Sequence, residues 1–230
     1  MMKNLSITLT PKEKSTGWIY YCIQLLLLGT IVGCCNLILG NPLTQAQLNV
    51  LAFALNFALV CWIFRKFLWK NLKAFLQKLP ANLAYVLCGL MLYYASTFAV
   101  GVVIVTLMPD FSNANDAQIG QLLQENYFLM SLATVVFVPI TEETLYRGLI
   151  FGSVYRYNKL LGYLTSMLAF SLIHIVNYIG IYDPTMLMLS ILQYLPAGFF
   201  LAWVYVKTDS VIGCTLMHML INHLGTILMR

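Results

Sequence analysis

The chain has 230 residues, of which 60% are hydrophobic and only 9% charged, with a net charge of +5 and a mean hydropathy of +0.81. This is far more apolar than a soluble globular domain. No Asp, Glu, Lys or Arg occurs in residues 15–64, 79–109, 160–182, 184–206 or 210–229. A helix needs roughly 20 apolar residues to cross about 30 Å of hydrocarbon. The pattern excludes a soluble enzyme and predicts an all-α, polytopic transmembrane helical bundle. The positive charge is not a nucleic-acid footprint, because the basic residues cluster where helix ends should lie and there set topology. The expected surroundings are membrane lipid, with no nucleic acid.

Seven spans are predicted, near 17–39, 46–64, 81–107, 127–147, 160–180, 185–206 and 210–229. The first apolar run begins near Trp18 and, at about 22 residues, is too long for a signal-peptide core; it is expected to remain as the first span. Residues 66–78, KFLWKNLKAFLQK, repeat Lys and bulky apolar residues at three-to-four spacing. That suits a helix lying at the membrane interface with its basic face toward head groups, a plain basic loop being the alternative. Residues 108–126, MPDFSNANDAQIGQLLQEN, predict a turn followed by a short helix. Six cysteines lie in apolar runs without CxxC or Cys/His spacing, so neither a disulfide framework nor a structural zinc site is expected.

The span count and the charges agree with one another. Lys3, Lys12 and Lys14 precede the first span, and Arg65, Lys66, Lys70, Lys73 and Lys78 fill the second loop. Arg147, Arg156 and Lys159 follow the fourth span, and Lys207 follows the sixth. With seven spans all of these fall on one side, and Asp110, Asp116, Glu125, Asp183 and the terminal Arg230 fall on the other. The positive-inside rule then places the N-terminus in the cytoplasm and the C-terminus outside. The expected organisation is one integral membrane domain, with a three-span region over 1–126 and a four-span core over 127–230.

All three histidines and an acidic pair lie inside these apolar segments. An Asp, Lys or Arg at the centre of a membrane helix costs at least about 2.5–3.5 kcal/mol, so such groups are expected to act together. In VPITEETLYRG, residues 138–148, Pro139 is expected to break or kink the helix and Thr141 to cap a new turn. Glu142 and Glu143 point about 100° apart on a helix, so they cannot share one role. Glu143 and Arg147 are four apart and can pair, which leaves Glu142 as the free carboxylate; an ion-pair cluster at a helix end is the alternative. In FSLIH, residues 170–174, Phe170 and His174 share a face, although a histidine in a membrane helix can simply bond a neighbour. In HMLINH, residues 218–223, His218 and Asn222 share a face, whereas His223 is about 140° round the helix from His218 and is expected outside the site. A carboxylate to deprotonate water, an imidazole to orient it and donors for an oxyanion are the inventory for hydrolysing an amide.

The residues EETLYR, FSLIH and HMLIN resemble the EExxxR, FxxxH and HxxxN motifs of the CAAX protease/bacteriocin-processing family (CPBP, or Abi), whose eukaryotic relatives trim the last three residues from prenylated proteins. The resemblance covers roughly 127–229. It implies an intramembrane endopeptidase acting on a membrane-associated peptide or protein substrate, with Glu142 activating water, His174 helping to hold it, His218 and Asn222 forming the oxyanion site, and Glu143 and Arg147 in support. Family members are often labelled metalloproteases, and a metal-free glutamate mechanism is also held. With no HExxH and one clear carboxylate facing the two histidines, no cofactor is favoured, zinc being the alternative. The implied protein is a multi-pass enzyme of a bacterial cell membrane, opening toward the cytoplasm, in peptide maturation or bacteriocin self-immunity. The rival readings are a non-catalytic bacteriocin-immunity membrane protein and a small proton-coupled transporter. At about 1.5 Å of rise per residue, Glu142 and His218 lie roughly 10–12 Å from the cytoplasmic face and His174 deeper. Convergence therefore requires tilt or a later start of the fifth span.

Overall fold

The computed structural model describes residues 4–230, without the side chains of Leu26 and Leu27. Lys3, one of the basic residues used to predict topology, lies outside the described residues. Among these residues every regular element is helical and there is no strand.

Helix α1 starts at Thr10, whose hydroxyl caps the amide of Glu13 while Glu13 bonds back to the Thr10 amide. Pro11 at the first helical position suits this start, because its missing N–H would be unpaired there anyway. The helix runs through Pro11–Ile23, a π-turn at Gln24–Leu28 and Gly29–Ile38. It then turns through Gly40 and Asn41, with φ of 82° and 58°. Next come α2 (Gln45–Ile63), α3 (Arg65–Gln77), α4 (Leu79–Leu107), α5 (Ala114–Glu125), α6 (Tyr127–Tyr155), α7 (Lys159–Tyr178), α8 (Pro184–Thr208) and α9 (Val211–Leu228).

Six of these, α2, α4, α6, α7, α8 and α9, are long and apolar enough to cross a membrane. The predicted first crossing differs. The π-turn divides α1 into regular pieces of 13 and 10 residues, neither long enough alone. As a whole, however, α1 runs from one end of the bundle to the other. At its start the Phe67 amide of α3 donates to Glu13 Oε1 at 2.9 Å. Beyond its far end α2 begins, where the Ala46 amide donates to Glu125 Oε2 of α5 at 3.2 Å.

These ties sort the loops onto two ends. At the first end, the Ser210 hydroxyl donates to the Asn71 carbonyl at 2.8 Å and the Val211 amide to Asn71 Oδ1 at 2.8 Å, fixing α3 to the α8–α9 turn. The Ser6 amide and hydroxyl donate to Asp209 at 2.8 and 2.6 Å in the same region. Arg65, Lys66, Lys70, Lys73 and Lys207 therefore share one end of the molecule. The interfacial reading of residues 66–78 corresponds to α3. It buries Phe67, Asn71 and Phe75 on a single stripe, one turn apart, and leaves Arg65, Lys66, Trp69, Lys70 and Lys73 exposed.

Helices α6 and α8 form the centre. Of the most apolar 18 residues of each, 44% are buried, against 6% for α4, which presents residues such as Phe98, Val105 and Leu107 outward. A helix surrounded by hydrocarbon needs no polar face. Close crossings hold α4 and α7 to α8. A Cβ added at Gly89 would lie 2.3 Å from Val204 Cγ2, and one at Gly198 would lie 2.5 Å from Met167 Cα. Small residues allow such backbone approach where helices meet in lipid.

Candidate active site

The site is built on α6, where the chain leaves ordinary helical geometry twice, at π-turns Ala133–Phe137 and Glu143–Phe151. Such turns widen a helix locally and recur at functional positions. The expected break at Pro139 is absent. The helix continues through it, and Thr141 is not an N-cap; its hydroxyl is buried without a hydrogen-bond partner. The physical reason lies one turn earlier. In the first π-turn the Val138 amide bonds back five residues, to the Ala133 carbonyl. In that register the next donor, to the Thr134 carbonyl, is residue 139, a proline with no N–H. Asn222 of α9 fills the gap: its Nδ2 donates to the Thr134 carbonyl at 2.8 Å. One of the two Asn222 amide hydrogens is thus committed to holding α9 against α6.

Glu143 and Arg147 are completely buried. Arg147 Nη1 donates to Glu143 Oε1 at 2.7 Å. Its Nη2 reaches the carbonyls of Ala197 and Gly198 in α8 at 3.4 and 3.5 Å. The guanidinium carbon lies 4.4 Å from the centre of the Phe170 ring. His218 Nδ1 lies 2.8 Å from the same Glu143 oxygen. A carboxylate only accepts, so this nitrogen carries the proton and donates. The opposite ring edge, Nε2, then faces Glu142, 4.0 Å from its Oε2. That is too long for a direct hydrogen bond, and Glu142 Oε2 has no partner.

His174 Nδ1 lies 2.7 Å from the Phe170 carbonyl, one turn back. A carbonyl cannot donate, so Nδ1 carries the proton and neutral His174 has its lone pair on Nε2. The ring stacks on Tyr194 with centroids 4.3 Å apart. Tyr194 is held from the other side by α5, donating to Asp116 Oδ1 at 2.8 Å. The Phe170 ring joins the two histidines, with centroids 4.7 Å from His174 and 5.6 Å from His218. The Phe170 ring thus lies between the two histidines, while α7 begins at Lys159, no later than predicted. His223 is exposed on the outer side of α9.

Beside Glu142 lies a cavity of about 470 Å³. Its walls come from α1, α2, α6 and the end of α7, and its polar lining is Gln24, Thr30, Asn49, Asn56, Thr141, Tyr146 and Asn177 together with Glu142. His174 does not line it; its neighbours Ile173 and Val176 do. The cavity extends from Glu142 toward Asn49, near the start of α2, and Asn177, in the last turn of α7. Both lie at the end away from the basic residues, so the expected opening on the basic side is not where this space lies. The polar α1 and α2 residues were missed in the sequence, although Gln24, Asn49 and Asn56 stand inside an uncharged apolar run, where side-chain amides are costly without partners.

A catalytic zinc takes three protein ligands and an open position. Among the described residues no three His, Cys, Asp or Glu side chains are grouped to hold a metal. One His218 nitrogen is committed to Glu143, and Glu143 Oε1 already accepts two donors.

Comparison with known proteins bears on this region. A family model described as Rce1-like, type II CAAX prenyl endopeptidase, matches residues 124–224. The match covers less than half of the chain. The Rce1-like segment contains Glu142, Glu143, Arg147, His174, His218 and Asn222, and it leaves out α1–α4. UPF0177 protein YxdF of Lactococcus lactis subsp. lactis (strain IL1403) is 33% identical over 90 residues, 39% of this chain and 44% of the relative. The aligned part thus spans less than half the length of the curated relative. No solved structure matches the chain.

Proposed function

We propose that the chain is an intramembrane endopeptidase of the CAAX type that hydrolyses a peptide bond of a membrane-associated substrate. The observation that carries this is Glu142: a carboxylate oxygen with no partner, at the wall of a cavity and 4.0 Å from an oriented imidazole nitrogen. The Rce1-like match over the same residues supports the reaction class.

In this mechanism Glu142 takes a proton from water as general base. Neutral His174 offers its Nε2 lone pair to the other water hydrogen, leaving an oxygen lone pair free to attack the scissile carbonyl. His218, its Nδ1–H held by Glu143, meets the oxyanion with Nε2–H in its imidazolium form, and Asn222 adds its second amide hydrogen. Glu142 then passes its proton to the leaving amine. Glu143 and Arg147 hold His218 in place. No metal takes part in these steps.

The chain is oriented with its N-terminus and basic loops in the cytoplasm of a bacterial cell membrane. Its role is peptide maturation or bacteriocin self-immunity. The decisive experiment is Glu142→Gln at equal membrane abundance, which is expected to lower cleavage at least about 100-fold, the lower range for losing a general base. Undiminished processing or immunity in that variant overturns the enzyme reading. Full activity of a preparation shown by elemental analysis to be metal-free is the expected result for the metal-free mechanism; activity that follows zinc content overturns it.

A further inference from the structure

About half of the cavity beside Glu142 is walled by α1 and α2, which lie outside the Rce1-like segment, and its composition is selective. Among its described lining residues there is no Lys or Arg, and Glu142 is the one charged group. What it offers instead is a set of side-chain amides. Gln24 and Asn56 are bonded to each other, with Asn56 Nδ2 donating to Gln24 Oε1 at 2.8 Å, and Tyr20 donates to Asn56 Oδ1. Asn49 and Asn177 stand further along the wall. Each amide both donates and accepts. An extended peptide requires the same two functions at every residue once it leaves water.

We propose that this cavity holds an extended, internal peptide segment of the substrate, which reaches Glu142 from the end of the bundle opposite the basic loops. The inference rests on the endopeptidase reading and specifies its substrate. A cut three residues before a free C-terminus would bring the terminal carboxylate within roughly 10 Å of Glu142, at 3.3–3.6 Å per extended residue. No cation lines the cavity to receive it, and Arg147 is committed to Glu143. A carboxylate buried without a partner is strongly disfavoured, and here it would also face Glu142. An uncharged stretch of backbone meets neither obstacle. The direction of approach follows from the wall itself. Asn49 and Asn177 lie at the end where α1 turns into α2 and α7 into α8, whereas Arg65, Lys73 and Lys207 lie at the other.

The test uses the full chain in sided proteoliposomes, with the six native cysteines replaced by alanine. Asn177→Cys and, as a marker of the basic end, Lys73→Cys are each exposed to a membrane-impermeant maleimide. Asn177→Cys is expected to react only from the face opposite the one that labels Lys73→Cys. In a Glu142→Gln background, its labelling is expected to slow several-fold with a library of uncharged, end-blocked decapeptides, and not with tripeptides bearing a free carboxylate. Labelling of both positions from the same face overturns the direction of approach. Absence of protection by the decapeptides, or equal protection by the tripeptides, overturns the substrate class. Failure of the endopeptidase reading would register separately, as intact decapeptides after incubation with the chain carrying Glu142 while protection persists.

Discussion

Asn222 has two duties that pull in different experimental directions. Its bond to the Thr134 carbonyl replaces the one that Pro139 cannot make. Asn222→Ala is therefore expected to lower stability by about 1–3 kcal/mol, the cost of a buried carbonyl left unpaired, read as the loss in thermal or denaturant unfolding in detergent. Pro139→Ala supplies a backbone N–H in the right register, so Asn222→Ala is expected to cost clearly less in that background. Additive losses would show that residue 139 does not govern the need for Asn222. At Glu143 and Arg147 the effect is larger, because both are fully buried. Glu143→Gln is expected to destabilise by about 3–5 kcal/mol, leaving a guanidinium uncompensated in the interior. Glu143→Gln with Arg147→Met removes both charges and is expected to recover much of that stability without restoring activity, since a neutral amide at position 143 no longer offers His218 Nδ1 a carboxylate to balance the imidazolium.

At the scale of elements, the site depends on how closely α7 approaches α8. Gly198 meets the Met167 backbone, and the Ser166 hydroxyl donates to the Gly198 carbonyl at 3.0 Å. This contact lies one turn before Phe170, whose ring touches both histidines and Arg147. Gly198→Ala would place a Cβ 2.5 Å from Met167 Cα, so one helix must move. The expected cost is about 1–3 kcal/mol for overpacking, with a larger fractional loss of cleavage per folded molecule because His174 moves with α7. A variant that loses stability and keeps its specific activity would show that the α7–α8 spacing does not position His174. The same scale marks what spacing could foretell. The four-residue intervals Glu143–Arg147, Phe170–His174 and His218–Asn222 place each pair on one helix face. They do not reveal that the Phe170 ring links separate helices, or that Tyr194 of α8 backs His174.

For the molecule as a whole, α3 acts as a clamp across the basic end. Asn71 is buried and accepts from Val211 and Ser210 while its Nδ2 donates to the Phe67 carbonyl at 2.9 Å. Asn71→Ala is expected to cost about 1–3 kcal/mol through the stranded Val211 amide. Specific activity of the folded fraction should persist, because the clamp lies at the end of the bundle away from the cavity. Measuring unfolding and cleavage on the same preparation separates the two. The π-turn in α1 has a comparable reach: it places Gln24 beside Asn56 and so joins the N-terminal helices to the cavity wall.

Hydropathy and charge placement alone determined that the chain is an all-helical membrane bundle, because a span is a local property of about 20 consecutive residues. Motif spacing likewise marked Glu142, Glu143, Arg147, His174, His218 and Asn222, since helical periodicity is set by neighbours in sequence. Tertiary structure decided the rest: that α6 passes Pro139 unbroken, that Asn222 supplies the missing donor, and that the cavity lies toward the end opposite the basic loops. Each depends on partners 50 or more residues away in the chain, a distance across which no periodicity carries information.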